Sequence, residues 1–237
     1  MRAAIAIAVV AAASGIAAAP AGAVTLGQID TFDASLQGWS AGGGAPPFPP
    51  VLVKDGGPGG AGDAYMLVTS TGSQSAGGKM VVQNDLQWTG NYTKAGVTKI
   101  ALDLRNLGTT DLSMRLLFED PVNGPPKNQA ITTQSFFLPA GGDWTHLSFA
   151  IRASDLTALA GSADVVLSNT TTIRLFHGTG LGFPANPIAA KLGVDNIAAV
   201  PEPATWALML AGVGLVGGAA FRSASASRAR AGAAPAG

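Results

Sequence analysis

Four cationic or ionisable side chains sit on the polar side of segments that alternate apolar and polar residues: Arg105, Arg115, His146 and Arg174, with Asp103 and Glu119 between them. Planar hydrogen-bonding groups of this kind pair well with the hydroxyls of a sugar ring. Aromatic faces stack on the ring's apolar side. Trp39, Trp88 and Tyr92 stand next to loops, where such faces are within reach of a ligand. Trp39, which follows Gly38 just after the first predicted strand, reads as core instead. Trp88, Tyr92, Arg105, Arg115, His146 and Arg174 are therefore the candidate ligand-binding residues, in a groove that requires the polar sides of their strands to share one concave surface. The competing reading of the charged row is a solvated sheet face.

Hydrolytic chemistry has less to work with. Glycoside cleavage needs two carboxylates flanking the bond, and no motif here places such a pair. Serine, histidine and aspartate are all present, without a nucleophile elbow. The chain has no cysteine and two histidines, His146 and His177. That removes thiol nucleophiles and disulfides and leaves few imidazoles for a catalytic zinc. Both histidines fall in predicted strands, where a structural role is expected. No catalytic residue is assigned, and the chain is read as a non-enzyme.

The elements that must position these groups are strands. Residues 97–105, 112–119, 144–151 and 172–177 alternate with period two, the mark of antiparallel strands with one buried face. Shorter strands are predicted at 29–32, 51–54, 65–69, 80–84, 132–138 and 192–198, and one short helix at 154–160, with Ser154 as its cap. Gly/Pro-rich turns separate them, so the predicted fold is all-β, an antiparallel sandwich or jelly roll. This domain spans 24–199 and carries ten basic against thirteen acidic side chains. A mildly acidic surface without a basic patch excludes nucleic acid as a partner.

Both ends of the chain read as addresses. Arg2, an Ala/Ile/Val run and the small-residue site at Ala21 to Ala23 form a signal peptide over 1–23, a Sec-type leader cut after Ala23. At the other end, residues 204–221 are apolar, 18 residues against the roughly 20 that a bilayer core needs. Gly212, Gly214, Gly217 and Gly218 weaken this predicted transmembrane helix further. Arg222, Arg228 and Arg230 behind it stay cytoplasmic under the positive-inside tendency. Gly212, Gly214 and Gly217 also spell a dinucleotide-binding fingerprint. That fingerprint needs a strand before it and a second strand after it, and a stretch inside the apolar segment near the chain end has neither.

The whole segment 200–237 resembles the PEP-CTERM sorting domain. It runs Val200, Pro201, Glu202, Pro203, then the apolar stretch, then arginines. The resemblance implies recognition of Pro201, Glu202 and Pro203 by exosortase, a membrane cysteine protease of Gram-negative exporters, after tethering in the inner membrane. It implies release to the envelope, outer surface or exopolysaccharide matrix, such as that of a biofilm. A second resemblance covers the domain: Ile29 to Asp33 leading into Gly38 and Trp39, and Val194 to Ile197 at the close, look like carbohydrate-binding-module jelly rolls of the galactose-binding-like fold. There the first and last strands lie side by side and often share a structural calcium, which would fall here to Asp30, Asp33, Asp55, Asp63 and Asp195. Calcium takes six to eight oxygen ligands; the competing reading makes these aspartates turn formers. The expectation for the whole chain is a secreted, non-enzymatic, glycan-binding surface or matrix protein. The alternatives are a jelly-roll glycosidase or lyase and a purely structural matrix protein.

Overall fold

The computed structural model describes residues 23–42, 47–120, 125–184 and 186–201. The signal peptide up to residue 22, Glu202, Pro203 and the predicted helix 204–221 lie outside the described residues. Among the described residues no helix is long and apolar enough to cross a membrane.

Twelve strands form two antiparallel sheets packed face to face. In the first, β2 (Val51–Val53), β3 (Tyr65–Thr71), β12 (Ala189–Val200), β5 (Lys99–Asn106) and β9 (Thr145–Ala150) are neighbours in that order, and β1 (Ile29–Asp30) also pairs with β12. In the second, the order is β10 (Leu156–Ala160), β7 (Asn128–Thr132), β6 (Leu112–Asp120), β11 (Thr172–His177) and β4 (Val81–Asn84), with β8 (Phe136–Leu138) on β6. The architecture is the jelly-roll sandwich that the alternation predicts. Ile100, Leu102 and Leu104 from one sheet, and Leu112, Met114, Leu116, Phe118, Ile173 and Leu175 from the other, meet in one core. Period-two alternation places them all on one side of their strands.

Two expectations fail locally. Residues 154–160 are not a helix: a 3-10 turn at Ala153–Asp155 leads into β10, which pairs with β7 through Leu156 and Thr132. The ladder to β7 outweighs the weak local helix preference. Residues 132–138 are not one strand but the end of β7 and all of β8, divided at 133–135. Two short helices, α1 (Tyr92–Ala95) and α2 (Ala163–Ser168), were not expected. Asn91 starts α1 by accepting from the Lys94 N–H at 2.7 Å.

The first strand is fixed by a buried polar clamp. Asp30 Oδ2 accepts from the indole N–H of Trp88 at 2.6 Å, the indole N–H of Trp39 at 2.7 Å and the side-chain amide of Gln87 at 3.1 Å. Burial raises the pKa of this carboxyl, and the three donors pull it back. Trp39 packs tilted on Trp88 with ring centroids 6.3 Å apart and belongs to the core, as its place after Gly38 predicts.

Candidate functional site

The six candidate ligand residues go to three different places. Trp88 and Tyr92 are in the core, 0% and 1% exposed. The Tyr92 hydroxyl donates to the Trp88 carbonyl at 2.7 Å, and its ring stands edge-on to Phe118. Their placement near loops suggested exposure. The loop instead folds its apolar rings over the end of the sandwich, so neither ring can stack on a ligand.

The four cationic or ionisable residues divide between opposite faces of the molecule. The polar side of β6 and β11 carries Arg115 and Arg174; the polar side of β5 and β9 carries Arg105 and His146. Each sheet buries its inner face against the other, so these polar sides point away from each other. The single groove expected from the sequence does not form.

On the second sheet, a polar ladder crosses four strands. Arg174 Nε donates to Glu119 Oε2 at 2.6 Å and its NH1 donates to Gln83; Gln129 donates to Glu119 Oε1 at 2.9 Å. The Arg174 guanidinium also lies 5.5 Å from the centre of the Phe183 ring, which stands edge-on to Phe176. Leu117, Ile131 and Phe176 are buried beside it. Arg115 is spent on carbonyls: Nε donates to Gly178, and NH1 to Thr132 and Thr133. Burial lowers its pKa, and three acceptors hold it in place. Arg115, Glu119, Gln129 and Arg174 are thus all paired within the protein.

The outer face of the first sheet differs. Asp195, Asp103 and His146 stand in one row across β12, β5 and β9. His146 Nδ1 lies 2.8 Å from Asp103 Oδ1, with the imidazole two-thirds exposed, and Asn196 donates to Asp103 Oδ2 at 2.8 Å. Arg105, facing Gly193 on β12, donates to the Gly142 carbonyl at 3.2 Å and is 4.0 Å from the exposed Asp143. Trp144 completes the face. A Cβ on Gly193 would come within 2.8 Å of the Trp144 ring, so the absent side chain is what lets the indole lie on β12. Tyr65 meets the indole edge-on at 5.3 Å, and the Trp144 indole N–H donates to the Gly56 carbonyl at 2.9 Å. The sequence reading missed Trp144. The available signal was the glycine at 193, placed between Leu192 and Val194 in the closing strand.

Asp195 is the unusual group here. It is 1% exposed. Its Oδ1 accepts from the Asn196 N–H, while Oδ2 has no hydrogen-bond partner. Burial pushes its pKa up to about 7, against the Asn196 N–H and with help from the nearby charges of Asp63, Asp103 and Asp33. His177 is also perturbed: its Nδ1 accepts from the Ser113 N–H at 2.9 Å and burial lowers its pKa, so it is a neutral structural histidine.

Of the five candidate calcium ligands, Asp33 and Asp63 lie near enough to Asp195 for their charges to raise its pKa. Asp30 is committed to the tryptophan clamp. Asp33 accepts from Thr31, Asp55 from the Gly62 N–H and Asp63 from the Gly59 N–H, all as local turn bonds. Among the described residues no group of three or more acids and histidines is placed to hold a metal.

Comparison with known proteins bears on two parts of the chain. Residues 199–224 match the family described as "PEP-CTERM protein-sorting motif". The chain carries a PEP-CTERM sorting motif. The sandwich is similar to the family 11 carbohydrate-binding module from Clostridium thermocellum, solved with a β-1,3-1,4-mixed-linked tetrasaccharide: 19% identity, TM-score 0.49, over 75% of this chain and 99% of that one. It is also similar to the CBM22-1 xylan-binding domain from Paenibacillus barcinonensis, at 12% identity and TM-score 0.42 over 76% and 99%. An exo-β-agarase aligns at 13% identity and TM-score 0.46 over 72% of this chain but 24% of its own. No curated protein matches.

Proposed function

We propose that this is an exported, non-catalytic glycan-binding protein. It is tethered in the inner membrane by its apolar segment, processed by an exosortase that recognises Pro201, Glu202 and Pro203, and delivered to the outer surface or exopolysaccharide matrix. The matched sorting motif supports the export and sorting half. The observation that carries the binding half is Trp144 laid over Gly193, beside the accessible His146–Asp103 pair and Arg105. A partly exposed indole flanked by planar polar groups is the equipment that sugar rings select. The ligand expected is a neutral or mildly polar polysaccharide chain lying across β12, β5 and β9. The test is affinity electrophoresis of the secreted protein and its Trp144→Ala variant through gels containing candidate polysaccharides. Retardation lost in the variant supports the reading; equal mobility of the two in every gel sinks it.

One observation favours a glycosidase instead: a carboxyl titrating near neutrality, Asp195, with Asp103 beside it in the row. Such a pair can serve as acid and base. Asp195 is closed off from any substrate, however, and both Asp103 oxygens are engaged, by His146 and Asn196. Release of reducing ends from a retained polysaccharide, abolished by Asp195→Asn, would establish the enzyme reading.

A further inference from the structure

The sorting motif begins inside the folded sheet. Its match starts at Ala199, and Ala199 is a core residue of β12 with no exposed surface, paired with Ile100 of β5. The Ala199 N–H donates to the Gln28 carbonyl at 2.9 Å, and its carbonyl accepts from the Gly27 N–H at 2.8 Å. Val200 pairs with Lys99, and its carbonyl accepts from the Thr98 N–H at 3.1 Å. Pro201 is buried. No linker separates domain from motif. The apolar run starts at Ala204, and three residues of extended chain reach at most about 11 Å. The other end of the domain leaves from the same pole: the Val24 N–H donates to the Thr89 carbonyl at 2.7 Å, just before α1 and the start of β5.

A tether that short holds this pole against the bilayer while the apolar segment is inserted. An enzyme that takes its substrate as an extended peptide supplies hydrogen bonds to the peptide's backbone. The backbone of Ala199 and Val200 is already bonded into the sheet, and a polar group that is paired cannot serve a second partner at no cost. We propose that the folded strand end gates processing: Ala199 and Val200 must peel from Gly27, Gln28 and the start of β5, and buried Pro201 must come free with them, before the membrane-embedded processing enzyme can take the motif. The pole around them is the surface which that enzyme meets. Strand ends open at far lower free energy than whole domains, so the gate slows cleavage without preventing it. This inference rests on the sorting reading above.

The experiment inserts four Gly-Ser pairs followed by a second Ala-Val after Val200. The sheet then keeps its own strand end, and the motif keeps its own preceding residues. Pulse-chase in a host that exports the chain and carries an exosortase, read by mass, gives the rate of conversion from precursor to shortened form. Equal melting temperatures of the two purified proteins establish that the sandwich is unchanged. The expected result is processing about tenfold faster with the insert, the ratio that corresponds to an opening cost of about 1.4 kcal/mol. Equal or slower processing, in a host that cuts the natural chain, overturns the gate and leaves the sorting reading standing. Failure to cut either chain removes the sorting reading, and the gate with it.

Discussion

Asp195→Asn should stabilise this protein at neutral pH and abolish much of its pH dependence. The carboxyl titrates near 7 in the folded state against an ordinary value of 3.8. Between those values the folded chain holds a proton that the unfolded chain has lost, so unfolding is favoured as pH rises. The stability is full below about pH 4, falls through the interval, and is at its lowest above about pH 7. A gap of this size is worth up to about 4 kcal/mol at 1.36 kcal/mol per pH unit, and a realistic effective dielectric brings it to roughly 2–4 kcal/mol. The amide oxygen of asparagine can keep the Asn196 N–H bond, and its NH₂ replaces an oxygen that has no donor. For a domain of this size each kcal/mol moves the melting temperature by about 2–4 °C. Thermal melts at pH 4, 6 and 8 should show the variant roughly 4–16 °C above the natural protein at pH 8 and no higher at pH 4. A variant that melts lower at pH 8 would refute the reasoning, since Asp195 would then be stabilising as an ion.

Asp30→Ala should cost about 3 kcal/mol or more by leaving two indole N–H groups unpaired in the core and taking one of the two acceptors from the Gln87 amide; urea melts followed by tryptophan fluorescence would measure it, and a loss under about 1 kcal/mol would contradict the clamp. Gly193→Val should displace the Trp144 ring, because even a Cβ would stand 2.8 Å from it. Polysaccharide retention should fall as far as in Trp144→Ala, whereas Arg174→Ala, on the opposite face, should leave retention unchanged. Chelation or added calcium should leave the melting temperature within about 1 °C, because Asp30 is spent on indoles and, among the described residues, no group of three acids or histidines is placed to hold a metal; a larger rise with calcium would reveal a site.

The strands were legible because alternation reports burial directly. Residues 97–105, 112–119 and 172–177 correspond closely to β5, β6 and β11. Alternation says which side of a strand faces its core; it does not say which sheet the strand joins. Arg105 and Arg115 therefore looked alike, although one lies on each outer surface. Trp88 and Tyr92 were misplaced for a different reason. Their burial comes from contacts with Asp30 and Phe118, distant in sequence, and local pattern carries no trace of them. The 154–160 stretch became β10 because its partner strand lies more than twenty residues away.

The pairing of β1 with β12 has a mechanical consequence. Ile29 faces Ala198 and Asp30 faces Ile197 in an antiparallel ladder whose free ends both leave by one pole. Tension between the two ends would load that ladder rung by rung, as in opening a zipper, and not all rungs together in shear. A protein built this way yields early when pulled by its termini. One gripped through a broad sheet face, with its ends slack, would carry load far better within a polymer network.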